Sequence, residues 1–138
     1  MDLDNARILV VEDDAVMRQY VVTMLDRMGV GEVQECSNGT QALDCMAGFS
    51  PDVVLTDVHM GPMDGFDFVR KIRTHASLGL RQSQVIFMSA DSSKSTLKQA
   101  LLLGTRGYIV KPPRLENLRT KLKLALNPLP SSAPPLAP

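Results

Sequence analysis

The chain has 138 residues, 44% of them apolar, with no Trp and few aromatic residues, so it can bury about 70% of its unfolded surface around one core of Val, Leu, Ile and Met. Fifteen basic and fifteen acidic residues cancel, which gives no bulk attraction to nucleic acid or to an anionic membrane. No apolar run approaches the ~20 residues of a membrane span, the acidic start has no signal-peptide stretch, and Cys36 and Cys45 lack metal-site spacing; a cytoplasmic domain with two reduced thiols is expected.

Ile8 to Glu12 reads as a buried strand that ends in the acids Glu12, Asp13 and Asp14. Met17, Val21, Met24, Leu25 and Met28 then recur at helical spacing until Gly29 supplies a left-handed stop. A short strand is expected around Glu32 to Cys36, followed by a helix over Asn38 to Met46 with Ala42, Leu43 and Met46 on one face. Asp52 to Asp57 is the third strand and carries Asp57 to its carboxyl end. Asp64 can cap a third helix in which Phe68, Val69 and Ile72 face inward. Val85 to Ser89 is the fourth strand, a helix carrying Leu97 and Leu101 ends at Gly104, and Gly107 to Val110 is the fifth strand, ending at Lys111-Pro112. The fifth helix runs from Arg114 or Leu115 to about Leu126, with Leu115, Leu118, Leu122 and Ala125 in register. Residues 1–126 are therefore read as one domain, and 127–138, with five Pro, as a disordered or polyproline-like tail.

Five strands alternating with five helices predict a parallel, doubly wound α/β sheet covered on both faces. The strand ends collect chemistry. Three carboxylates near one point repel one another unless a cation neutralises them, and an oxygen-only, partly hydrated site suits Mg2+. Asp14 stands just before the helical periodicity and is assigned the cap, which leaves Glu12 and Asp13 for the metal. Asp57, beside these acids, reads as a nucleophile, whereas Lys111, a lone lysine at a strand end, is by itself an ordinary solvated residue.

In this order and spacing, Glu12-Asp13, Asp57, Ser89 and Lys111-Pro112 resemble the receiver domain of two-component response regulators, from Ala6 to about Leu126. The resemblance implies a flavodoxin-like sheet of order 2-1-3-4-5 with its site at the carboxyl ends of strands 1 and 3. It implies that Glu12, Asp13, Asp57 and the main-chain carbonyl of His59 hold Mg2+, and that Asp57 accepts a phosphoryl group. Lys111 and Ser89 would then bind that group, and Ser89 with Tyr108 would act as the switch. It further implies a cis Lys111-Pro112 bond, and an output surface on the fourth helix, fifth strand and fifth helix. Two departures stand out: Gly61 takes the place of the Pro that usually follows Met60, and Pro113 the place of a frequent Phe.

The expected function is that of a stand-alone receiver, not a metabolic enzyme: it takes a phosphoryl group from a sensor histidine kinase or phosphotransfer protein and passes a signal to an effector protein or a second copy. A phosphorelay shuttle or phosphate sink is the alternative within this class. A Mg2+-dependent hydrolase with an Asp nucleophile is the rival outside it; that chemistry needs a second acid two residues after Asp57, where His59 stands. Charge is segregated: thirteen of fifteen acids lie at or before Asp67, and twelve of fifteen basic residues at or after Arg70. Lys94, Lys98, Arg106, Arg119, Lys121 and Lys123 are accordingly expected to make the output face basic.

Overall fold

Strands buried on both faces must be apolar at every position, and that is why the runs around Val10, Val54 and Phe87 show no alternation. In the computed structural model, which describes residues 1–105 and 107–127, they form a five-stranded parallel sheet. The strands are β1 (Arg7–Val11), β2 (Glu32–Cys36), β3 (Val53–Asp57), β4 (Gln84–Ser89) and β5 (Gly107–Val110), in the spatial order β2-β1-β3-β4-β5. The expected order 2-1-3-4-5 is the one observed.

The pleat divides each strand between two cores. Leu9, Val11, Val54, Val85 and Phe87 face one side, and Ile8, Val10, Val53, Leu55, Ile86, Met88 and Ile109 the other. The first side is covered by α2 (Gly39–Phe49) and α3 (Gly65–Arg73), the second by α1 (Ala15–Arg27) and α6 (Leu115–Leu126). Phe68, Val69 and Ile72 of α3 and Leu118 and Leu122 of α6 are buried as expected, each contributing about 1.5–3 kcal/mol of transfer free energy. Phe66 meets Phe87 edge to face, ring centroids 5.0 Å apart.

The helix signals have identifiable local causes. Asp14 Oδ1 accepts hydrogen bonds from the Val16 and Met17 amides, so Asp14 is the cap of α1 and its carboxylate is occupied there. Asp64 caps α3 by accepting from Asp67 N at 2.8 Å, and Asn38 caps α2 by accepting from Gln41 N at 2.8 Å. Gly29 ends α1 at φ +79°, the left-handed conformation expected of it.

One expectation needs correction. There are six α-helices among the described residues, not five: α4 (Leu78–Arg81) is a single turn between α3 and β4, too short to carry a periodic signal. The predicted fourth and fifth helices are thus α5 (Lys94–Leu102) and α6. The inward face of α5 is set by small and polar residues. Thr96 and Ala100 turn inward, whereas Leu97 is half-buried and Leu101 is 60% exposed. A hydroxyl that bonds to Asp91 Oδ2 at 2.8 Å, followed one turn on by a small methyl, sets this inward face in place of two bulky leucines. Arg106 and residues 128–138, which hold nearly all of the expected tail, lie outside the described residues.

Candidate functional site

Parallel register brings the strand ends level. Val11 pairs with Cys36 and Thr56, Asp57 with Met88, and Ser89 with Val110, so the residues that follow β1, β3, β4 and β5 meet at one rim. Backbone bonds continue the ladder one step further, from Glu12 N to Cys36 O at 3.0 Å, Val58 N to Met88 O at 3.0 Å and Lys111 N to Ser89 O at 2.9 Å. The rim lies beside β1 and β3, where the crossovers change direction and a crevice opens.

Glu12, Asp13 and Asp57 each present a carboxylate oxygen there, all within 4.8 Å of one another. Glu12 and Asp57 are buried, while Asp13 is exposed. Lys111 reaches across from the end of β5: its ammonium donates to Glu12 Oε1 and lies 3.0 Å from Asp57 Oδ2. The Lys111-Pro112 peptide bond is cis, as the resemblance implied, and so is Gly61-Pro62. Burial, reinforced by the Asp57 charge, pushes the Glu12 carboxyl up to about 7, against the opposing pull of Lys111. Burial alone would lower the Lys111 ammonium, but its bonds to Glu12 and Asp57 raise it above the ordinary lysine value. Three acids sharing one lysine remain short of positive charge. An all-oxygen donor set of this kind fits a hard divalent cation that keeps some of its water.

Ser89 is fully buried at the end of β4, where its Oγ accepts from Asp91 N at 3.0 Å. Tyr108, half-buried on β5, donates its hydroxyl to the Asp91 carbonyl, and burial raises its pKa above the usual tyrosine value. Both candidate switch residues therefore converge on one backbone unit, Asp91. The Asp91 side chain accepts from Ser93 N and Thr96 Oγ1, and these bonds hold its carboxyl below the ordinary value. Sequence reasoning missed Asp91. The signal was present: an acid two residues after a strand-end Ser and two before a helix-capping Ser. His59 is exposed, its Nε2 3.8 Å from Asp91 Oδ2, and its imidazole takes no part in the acid cluster.

A second missed residue is Arg18. Its guanidinium donates to Glu12 O at 2.7 Å and lies 3.4 Å from Glu35, which ties α1 to the turn that carries Glu12 and Asp13. Tyr20, also on α1, donates to Pro113 O at 3.2 Å and so bridges to the segment after Lys111.

A doubly wound parallel sheet whose rim gathers acids from two strands, a buried hydroxyl and a lysine defines a signalling receiver domain. The chain belongs to the response regulator receiver domain family, whose profile matches residues 8–123. It is a receiver of the chemotaxis-regulator type within two-component signalling. Chemotaxis protein CheY-3 of Vibrio cholerae is 34% identical over 118 residues, covering 86% of this chain and 89% of that protein. Chemotaxis protein CheY of Bacillus subtilis is 32% identical over 121 residues, covering 88% and 98%. The solved structure of chemotaxis response regulator CheY4 of Vibrio cholerae superposes with a TM-score of 0.79 at 29% identity, covering 88% of this chain and 99% of that one. Regulatory protein AtoC of Escherichia coli is 34% identical, but the match spans only 25% of that protein.

Proposed function

We propose that Asp57 accepts a phosphoryl group from a phosphohistidine on a sensor histidine kinase or phosphotransfer protein and so switches a protein-binding face, in the cytoplasm. The observation that carries this reading is the position of Asp57: buried at the rim, within 4.8 Å of two further acids on one side and 3.0 Å from an ammonium on the other. Phosphoryl transfer asks the protein mainly to position groups and neutralise charge.

A carboxylate oxygen of Asp57 attacks phosphorus in line, the phosphorus–nitrogen bond breaks, and the neutral imidazole leaves with a proton from solvent. Glu12, Asp13, Asp57 and the His59 carbonyl would hold Mg2+, which supplies charge neutralisation at the phosphoryl oxygens when bound. Lys111 then exchanges its contact with Asp57 Oδ2 for a phosphoryl oxygen; a point charge on a flexible stem suits that exchange. Hydrolysis returns Asp57 by attack of water on the same phosphorus.

Phosphorylation adds about two negative charges at the rim. The Ser89 hydroxyl turns to donate to a phosphoryl oxygen, which withdraws it from Asp91 N. Tyr108 then loses its fixed partner at the Asp91 carbonyl and follows inward. The change reaches α5, β5 and α6, because Asp91 leads directly into α5 through Ser93 and Thr96. Lys94 and Lys98 are exposed on α5, so an acidic effector protein, or the acid-rich half of a second copy, complements this face.

Incubation with acetyl phosphate and Mg2+ should add one base-labile phosphate per chain, visible as a mass increase and lost after Asp57→Asn. Labelling that persists in Asp57→Asn, or in excess chelator, would overturn the assignment.

A further inference from the structure

The two cysteines of the chain, Cys36 and Cys45, form a pair not by spacing but by folding. Cys36 ends β2, and Cys45 lies on α2, one turn after Ala42 and one residue before Met46, both of which point into the core. Capping by Asn38 starts α2 directly after β2, so the helix folds back along the strand and brings the two side chains together. Their sulfurs are 3.5 Å apart, and both are free thiols. Cys45 Sγ also lies 3.4 Å from Ala42 O as donor, so the thiols form a short chain in which Cys36 donates to Cys45 and Cys45 to the helix backbone.

Their surroundings differ. Cys36 is only 4% exposed, while Cys45 is half-buried at the surface of α2. Burial, followed by the contact with Cys45, pushes the Cys36 thiol up to about 12, which keeps it protonated at neutral pH. A peroxide therefore meets Cys45 first. Closure then requires the sulfurs to approach from 3.5 Å to about 2.05 Å, within reach of side-chain rotation and a small shift of α2.

We propose that Cys36 and Cys45 form an oxidisable dithiol that hydrogen peroxide converts to an intrachain disulfide, with Cys45 the peroxide-reactive thiol and Cys36 the resolving one. In the first step Cys45 sulfur attacks the peroxide; a sulfur–oxygen bond forms, the oxygen–oxygen bond breaks, and the departing hydroxide takes up the thiol proton as water. Cys45 is then a sulfenic acid. In the second step Cys36 sulfur attacks Cys45 sulfur; the sulfur–sulfur bond forms, the sulfur–oxygen bond breaks, and a second water leaves with the Cys36 proton. Two thiols are oxidised and one peroxide is reduced. The bond closes a loop of about ten residues and pins the carboxyl end of β2 to α2, one hydrogen bond away from Glu12, whose amide donates to Cys36 O at 3.0 Å.

The test is titration of the full chain with hydrogen peroxide in the presence of a chelator. Free thiols counted after denaturation should fall from two to none, with a mass loss of about 2 Da and no covalent dimer. Asp44 lies between the cysteines, so cleavage at Asp44 should leave two peptides held together until dithiothreitol is added. The oxidised chain should melt about 5–10 °C above the reduced one. Cys36→Ala should stop at a Cys45 sulfenic acid trapped by dimedone, and Cys45→Ala should lose its remaining thiol at least tenfold more slowly than wild type loses its first. Two surviving thiols at a peroxide dose that oxidises glutathione, disulfides between chains, or dimedone trapped at Cys36 in Cys45→Ala at the wild-type rate would each overturn the proposal.

Discussion

Gly65 is the first residue of α3, and its amide donates to Val58 O at 2.7 Å, which folds the loop after Asp57 back against the end of β3. A Cβ built at this position would stand 2.1 Å from Asp57 O, 2.9 Å from Val58 Cα and 3.0 Å from Asp57 C. The first of these is about 1.3 Å inside ordinary contact, and every atom met is backbone, so no rotamer change relieves it. Gly65→Ala therefore forces α3 and the end of β3 apart by on the order of 1 Å. Overpacking of this kind costs roughly 3 kcal/mol, which lowers Tm by about 10 °C in a domain of this size. Because the displaced carbonyl belongs to Asp57 itself, the rate of phosphorylation by acetyl phosphate should fall about 100-fold, the usual cost of misplacing a reacting group by that distance. Gly48→Ala is the internal control. It lies in α2 with nothing within 4 Å of its Cβ, and should raise stability by about 0.5–1 kcal/mol through helix propensity. Thermal melts with and without Mg2+, together with phosphorylation kinetics, measure both effects. A Gly65→Ala protein that melts within 2 °C of wild type, or is phosphorylated at the wild-type rate, would refute the steric argument.

Asp13→Ala should weaken Mg2+ binding, measured by calorimetry, far more than Asp14→Ala, since Asp14 is held by the α1 cap; Asp14→Ala should instead cost about 1 kcal/mol of stability in urea melts. Equal effects on Mg2+ would show the acids to be out of register. Lys111→Ala should leave Mg2+ affinity unchanged or higher, because it removes a positive charge that competes for Glu12 and Asp57, while any change at α5 on phosphorylation disappears from amide spectra. Glu12 supplies a pH dependence. Its carboxyl rises from 4.5 to about 7 on folding, so its contribution to stability is fully present below pH 4.5 and is lost as pH rises through about 7. In metal-free protein, stability should drop between about pH 4.5 and 7, by about 3 kcal/mol at most, and Glu12→Gln should flatten the curve. An unchanged curve in Glu12→Gln would assign the titration to another group.

The strands, the helix caps and the acids at the strand ends were legible in the sequence because each depends on local signals: runs of apolar residues, Asp or Gly at a helix terminus, polar residues just past a buried stretch. Asp57, Glu12 and Asp13 could be put at strand ends from these alone, and the resemblance to a known family supplied strand order and the pairing with Lys111. Tertiary structure decided what depends on two segments at once. Lys111 bridges Glu12 and Asp57, and Asp91 gathers the Ser89 and Tyr108 contacts, only because parallel register sets β1, β3, β4 and β5 level at one rim. The buried face of α5 was likewise decided by the fold. Leu97 and Leu101 had the stronger apolar signal, but Thr96 has a partner in Asp91 and Ala100 the small volume that close packing demands, and neither property shows in a single-residue pattern. Likewise Cys36 and Cys45 stand nine positions apart in sequence, and it is the fold of α2 against β2 that places their sulfurs in contact, because a side-chain meeting between a strand and a helix is set by packing and not by spacing.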